Sequence, residues 1–303
     1  MVDTIVRLMA EVVSASGVKL DEPMSKHTSF HVGGKADLLV EPNTVPQLIA
    51  VIRILQQTGL PYTLLGNGSN VLVGDKGIRG VVVQITSRMA EYKSEENTIE
   101  AAAGIHLAKL ANVAFQNELS GLEFASGIPG SLGGAIYMNA GAYGGEMKNV
   151  IEEVIYLDEA GKVHRIPGSD CAFGYRTSRF AGSGDVILGC KLRLTEGKKE
   201  DIKALMDDYN GRRTAKQPLH QPSAGSTFKR PEGYFAGKLI EDAGLRGFRI
   251  GGAAVSEKHC GFVVNEDHAT AADVCAVIRH VQETVEEKFG VRLETEVKFV
   301  GEF

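Results

Sequence analysis

Two glycine-bearing stretches of this 303-residue chain carry the residue types that bind a small anion. Backbone N–H groups unobstructed by side chains can converge on a phosphate, and glycines supply such backbone. The first stretch is Gly66, Asn67, Gly68, Ser69 and Asn70. It lies between strand-like segments instead of opening a helix, and Val71 stands where a G-x-G-x-x-G fingerprint needs its third glycine, which disfavours a Rossmann dinucleotide fold. Taken alone it reads equally as a tight hairpin. The second stretch is richer: eight glycines fall between Gly121 and Gly145, out of 36 in the whole chain. It runs Gly127, Ile128, Pro129, Gly130, then on to Gly133, Gly134, Asn139 and Gly141, too long for a turn. Glycine loses more backbone entropy on folding than any other residue, so this density points to close ligand approach more than to a structural crossing. Each Gly-Lys pair is followed by Ala, Val, Lys or Leu, so no Walker-type P-loop for ATP is present.

Metal chemistry has little support. The eight histidines make no H-E-x-x-H, the H-x₃-H spacing of His27 and His31 has no cysteine pair to complete a zinc site, and Cys171, Cys190, Cys260 and Cys275 form no C-x-x-C pair. Widely spread cysteines fit reduced, mostly buried thiols, so no metal is expected.

The elements that must position these stretches follow from periodicity. Leu48, Ile49, Ile52 and Leu55 recur at helical spacing behind Thr44, predicting a helix over 45–57 that Gly59 and Pro61 stop. Strand-like runs follow at 62–65, 71–73 and 81–85. Beyond Arg88, a strand at 98–102 and a helix over 106–117 precede the second glycine stretch, and strands at 150–157, 163–166 and 186–194 come after it. A helix from about Lys199 to Asn210 leads into irregular chain over 217–230. Strands near 253–255 and 261–264 then precede a helix over 271–289. There Val274, Val277, Ile278, Val281, Val285 and Phe289 make one core-facing stripe, Thr270 and Asp273 a capping pair, and Gly290 the stop. Mixed elements of this kind predict an α+β protein of three parts, 1–87, 88–195 and 196–303.

Composition bounds the partners. Hydrophobic residues at 43% and charged residues at 23% describe an ordinary folded protein. A net charge of -5 gives no general basic field for nucleic acid, so any polyanionic ligand must be small. The opening residues show no basic n-region followed by a continuous apolar h-region, and no apolar run approaches the ~20 residues of a membrane span. A cytoplasmic protein without a membrane or obligate protein partner is expected.

Six segments together are far more specific than any one of them. Gly66-Asn-Gly-Ser-Asn70-Val-Leu, Ile128-Pro-Gly-Ser-Leu-Gly-Gly-Ala135, Asn139-Ala-Gly-Ala-Tyr143-Gly, Phe173-Gly-Tyr-Arg176-Thr-Ser, Ala224-Gly-Ser226-Thr-Phe-Lys-Arg-Pro231 and Leu293-Glu-Thr-Glu296-Val occur in this order. In sequence and order they resemble the motifs of the UDP-N-acetylenolpyruvoylglucosamine reductase (MurB) family, from about Lys26 to Val300. The resemblance implies an FAD-binding fold of the vanillyl-alcohol-oxidase (PCMH) type, in which two α+β subdomains clasp a non-covalent FAD, followed by a C-terminal α+β substrate-binding domain. It implies that loop amides hold the pyrophosphate; secondary candidates are Arg213 as a flavin contact, Lys216 for the substrate diphosphate and His259 near the substrate, although Lys and Arg after a helix read equally as ordinary partners of its C-terminal dipole. The implied reaction passes hydride from NADPH through the flavin to the enolpyruvyl group of a nucleotide sugar, giving UDP-N-acetylmuramate for peptidoglycan.

Arg176, Ser226 and Glu296 match the family's three catalytic positions. Hydride addition beside a carboxylate builds enolate charge, which needs a cationic or hydrogen-bonding clamp and a proton donor. The resemblance makes Ser226 the acid, with Arg176 and Glu296 near the substrate carboxylate. A serine hydroxyl is a weak acid, so the role requires surroundings that favour the alkoxide or a relay that resupplies the proton. Outside this context Arg176 reads as an ion-paired surface residue, Ser226 as a turn residue, and Glu296 as a strand carboxylate alternating with Glu294. Between the Arg176 and Ser226 motifs the chain is short, which resembles the shorter (type II) subclass and leaves little room for the longer subclass's tyrosine-bearing loop.

Overall fold

A computed structural model describes residues 2–303. The chain divides into two compact units. The first comprises the residues up to Lys19, Leu38–Asn67 and Val82–Arg213; the second comprises Leu20–Asp37, Gly68–Val81 and Thr214–Phe303. These units interleave along the chain, so boundaries placed after residues 87 and 195 do not coincide with them. The reason is non-local pairing: Val71–Val73 lies parallel to Lys298–Val300, which assigns part of the N-terminal third to the unit that holds the C-terminus.

In the first unit a five-stranded antiparallel sheet runs in the order Val163–Pro167, Ile151–Leu157, Val186–Arg193, Thr98–Ala102, Tyr92–Glu95. The helix Val45–Thr58 forms as its sequence predicts. The Thr44 hydroxyl accepts from the Gln47 amide, Leu48, Val51, Ile52 and Leu55 are buried, and Gly59 ends it in the left-handed region at φ 65°. An N-terminal helix, Val2–Val13, escapes the sequence reading although Ile5, Met9 and Val13 are buried at four-residue spacing. The helix predicted to end near Asn210 continues as Lys199–Lys216. Gly211 does not break it, because an exposed glycine costs a helix only about 1 kcal/mol relative to alanine.

The second unit is built on the helix Ala271–Phe289. Thr270 and Asp273 form a reciprocal capping box, Gly290 closes the helix at φ 67°, and Val274, Val277, Ile278, Val281 and Val285 are fully or almost fully buried. At about 1.5–3 kcal/mol per buried aliphatic side chain, this stripe is a principal source of the unit's stability. It packs in one core with Phe30, Val32, Leu72, Leu239, Ile240, Val255 and Val263. The Asp75 carboxylate accepts from the Ala271 and Ala272 amides, adding a second anionic cap at the same helix start. Arg249–Ile250, Ala253–Val255 and Val263–Asn265 make a three-stranded antiparallel sheet. No helix among the described residues is long and apolar enough to cross a membrane.

Candidate active-site residues

The tight-hairpin alternative for residues 66–70 is excluded by the pairing on either side. Tyr62–Leu65 joins a sheet beside Ile78–Gln84, whereas Val71–Val73 pairs with Lys298–Val300. Within the first unit, Gly66 sits against Ser131: a Cβ on it would stand 2.6 Å from the Ser131 hydroxyl. The Gly66 carbonyl accepts from the Gln84 carboxamide at 3.2 Å, and the Asn67 carboxamide lies 2.7 Å from Nδ1 of His106.

The second glycine stretch turns into a short helix, Leu132–Met138, with Ser131 at its N-cap. Its first amides are not all open to a ligand. Leu132 donates to the Ile105 carbonyl and Gly133 to the Ala103 carbonyl. Gly133 is thus explained by close packing on Ala103, whose Cβ would be 3.0 Å from an added one. Gly127 lies against the helix that carries Asn210 and Arg213, where an added Cβ would stand 2.4 Å from the Asn210 carboxamide oxygen. The Asn210 carboxamide donates to the Ser126 hydroxyl, and Tyr209 stacks on Tyr143 with ring centroids 4.7 Å apart. Ile128 and Gly130 are half-buried, Pro129 is exposed, and the Gly130 carbonyl accepts from the Leu107 amide. Burial depresses the pKa of Arg213, with Tyr143 acting against it. A partly desolvated guanidinium beside the Gly127 backbone fits an anionic cofactor such as FAD.

Asn139 closes the short helix at φ 43° and is fully buried. Its carboxamide donates to Glu146 Oε2 at 2.9 Å and to the Gly174 carbonyl at 3.0 Å, and accepts from the Lys148 amide at 3.0 Å. That side chain is therefore engaged by protein groups at its nitrogen and its oxygen. Arg176 follows in the Gly174–Thr177 bridge at φ 55°, a left-handed conformation that costs a non-glycine residue about 1–3 kcal/mol. Its guanidinium donates to the Gly141 carbonyl at 3.1 Å and stands over the Tyr175 ring. Gly141 pairs with Glu146, and an added Cβ there would strike the Gly145 carbonyl at 2.6 Å. The Lys148 ammonium first, with the Asn139 amide and the Arg176 charge, holds Glu146 below the usual carboxylate range against partial burial.

In the second unit the structure brings Ser226 and Glu296 onto paired segments. Two bridges, Ser223 to Val264 and Phe228 to Thr295, frame the serine. Between them Thr227, fully buried, donates its amide to the Gly261 carbonyl, accepts the Val263 amide on its hydroxyl, and accepts the Glu296 amide on its carbonyl. Ser226 is exposed and Glu296 half-buried. The Asn70 carboxamide donates to the Glu296 carbonyl at 3.3 Å, while the Asn70 carbonyl accepts from the Lys298 amide. Gly68 has φ 63° and a Cβ on it would lie 2.1 Å from the His27 carbonyl, so only glycine fits. Ser69 is half-buried in the same turn and Lys216 is exposed. His259 accepts the Gly261 amide on Nδ1, which places its proton on Nε2. Burial, with the nearby charges of Arg246 and Lys216 adding to it, pushes its pKa below the ordinary value of 6.5.

Thr227, Glu146, Ser131 and Asn210 are the residues that sequence reasoning missed. Thr227 and Ser131 stand inside quoted motifs, and Glu146 just beyond one. Nothing local distinguishes Asn210.

Known proteins cover the whole chain. The profile of the FAD binding domain matches residues 36–167, and that of the UDP-N-acetylenolpyruvoylglucosamine reductase C-terminal domain matches residues 217–300. A UDP-N-acetylenolpyruvoylglucosamine reductase of Clostridioides difficile is 49% identical over 294 residues, 97% of each chain. One of Caldanaerobacter subterraneus subsp. tengcongensis is 50% identical over 302 residues, the whole of both. Among solved structures, UDP-N-acetylenolpyruvylglucosamine reductase (MurB) from Thermus caldophilus matches with a TM-score of 0.80 at 34% identity, covering 93% of this chain and 98% of that one.

Proposed function

This chain belongs to the UDP-N-acetylenolpyruvoylglucosamine reductase family, and from that premise we propose that it reduces UDP-N-acetyl-3-O-(1-carboxyvinyl)-glucosamine to UDP-N-acetylmuramate. NADPH is the donor, and the step belongs to peptidoglycan precursor synthesis in the cytoplasm. The protein is an FAD-dependent oxidoreductase with an α+β fold, an FAD-binding part and a reductase-type C-terminal part.

The observation that carries the proposal is the register of Ser226 and Glu296 through Thr227, within the half of the chain that matches the reductase C-terminal domain. When bound, FAD supplies a hydride, taken from NADPH, to the methylene carbon of the enolpyruvyl group. Everything else falls to side chains. Adding hydride to that carbon drives negative charge onto the carboxylate side of the substrate, where Arg176 provides a planar cationic clamp. Ser226 then donates a proton to the carbon that bears the carboxylate, so one hydride and one proton saturate the double bond. Glu296, its main chain held by Thr227 and Asn70, hydrogen-bonds at the developing enol. Gly66, Asn67, Gly68, Ser69, Gly127, Ile128, Pro129, Gly130, Gly134 and Arg213 would hold the cofactor. Lys216, as a point cation, takes the substrate diphosphate, and neutral His259 offers an Nε2–H donor to the substrate.

Incubating the purified flavoprotein with NADPH and the enolpyruvyl nucleotide sugar tests the assignment. Oxidation of NADPH in one-to-one step with a product heavier by two hydrogens is expected. NADPH oxidation that does not depend on the nucleotide sugar would overturn it.

A further inference from the structure

The turn carrying Arg176 has no regular element of its own to hold it. It is a bridge between Gly174 and Thr177 with the arginine in the left-handed region. A polar side chain from outside the bridge grips it: the Asn139 carboxamide donates to the Gly174 carbonyl at 3.0 Å. The same carboxamide is tied to Glu146, and Glu146 pairs in a two-stranded ladder with Gly141, whose carbonyl accepts the Arg176 guanidinium. Asn139 thus meets Arg176 at both ends, by its backbone turn and by the strand that receives its head group. Both of its N–H donors and its oxygen are used, and it has no exposed surface. A buried amide so completely satisfied fixes geometry, because any shift leaves a desolvated donor unpaired.

We propose that Asn139, braced by Glu146, is a positioning residue for Arg176: it sets the turn that aims the guanidinium and does not itself contact the cofactor through its side chain. This role presupposes that Arg176 acts on the substrate, as proposed above.

The test uses the FAD-loaded enzyme and the two half-reactions measured separately without oxygen, in Asn139→Ala, Arg176→Ala and the double variant. Asn139→Ala is expected to slow flavin reoxidation by the enolpyruvyl nucleotide sugar about 10- to 100-fold, as for a misaimed reacting group, with reduction by NADPH and FAD content little changed. The double variant should be no slower than Arg176→Ala, since two residues acting through one group are not additive. Losses that multiply, or loss of FAD from Asn139→Ala, would overturn the proposal alone. An Arg176→Ala enzyme that reoxidises at the parent rate would overturn the role of Arg176 as well. Should Asn139→Ala fail to fold, Glu146→Ala is the second route, at a side chain 29% exposed. It should show the same selective loss, and Glu146→Gln, which keeps an oxygen for the Asn139 amide, should restore most of it; a Gln variant no better than Ala would count against the proposal.

Discussion

Arg176 sits in a left-handed turn gripped by a buried side chain, whereas Ser226 lies between two main-chain bridges with its neighbour Thr227 hydrogen-bonded on three sides. The Asn139 carboxamide donates to the Gly174 carbonyl at the start of the arginine's turn. The serine's surroundings are supplied mainly by backbone groups of residues 261, 263 and 296. The two designs differ in what a substitution can break. A side-chain-built turn depends on one residue's chemistry, and a backbone-built one tolerates change until a buried N–H loses its acceptor.

That contrast is sharpened first at Ser226 itself. Because its hydroxyl is exposed and takes no part in the bridges, Ser226→Ala should leave folding intact. Flavin reduction by NADPH should be nearly unchanged and reoxidation by substrate slowed about 10²–10⁴-fold, the range of a lost general acid. Equal loss in both half-reactions, read by stopped-flow absorbance, would mean that the serine holds structure instead.

A smaller effect is expected one residue on. Thr227→Val keeps the shape but strands the buried Val263 amide, costing about 1–3 kcal/mol in denaturant unfolding, and Thr227→Ser should recover most of it. An unchanged unfolding midpoint in Thr227→Val would break the claim that this region is held by satisfied backbone groups.

The smallest effect concerns pH. His259 has its folded pKa below the ordinary 6.5, so its contribution to stability is whole above that pH. Below it the unfolded chain takes up a proton first, and stability falls until the folded imidazole also titrates. Thermal unfolding of His259→Gln should therefore lose less stability than the parent between pH 7 and the acid side of 6.5. Parallel curves for the two proteins would contradict the assignment.

What the sequence made legible was whatever is local. Thr44 with Gly59, and Thr270 with Asp273 and Gly290, mark helices whose caps form as written because donor and acceptor lie within a few residues. The short helices Leu132–Met138 and Ala236–Asp242 went unassigned, being too brief for periodicity and, in the first, bearing Gly133 and Gly134 in its opening turn. Continuation of a helix past Gly211, which brings Arg213 against Gly127, is a tertiary outcome. Candidate site residues were found as motifs, but their partners were not. Asn70 bonds a carbonyl 226 residues away, and Asn139 one 35 residues away, separations that leave no trace in local pattern. The motifs name Asn70 and Asn139, but the partners of their side chains lie outside the motifs.

The most direct measurement is an anaerobic flavin spectrum of the purified protein, first with NADPH and then with the enolpyruvyl nucleotide sugar. Bleaching of the oxidised flavin followed by its stoichiometric return is the predicted result. A flavin that bleaches and does not return on adding the nucleotide sugar would contradict the assigned substrate, and with it the roles given to Arg176, Ser226 and Glu296.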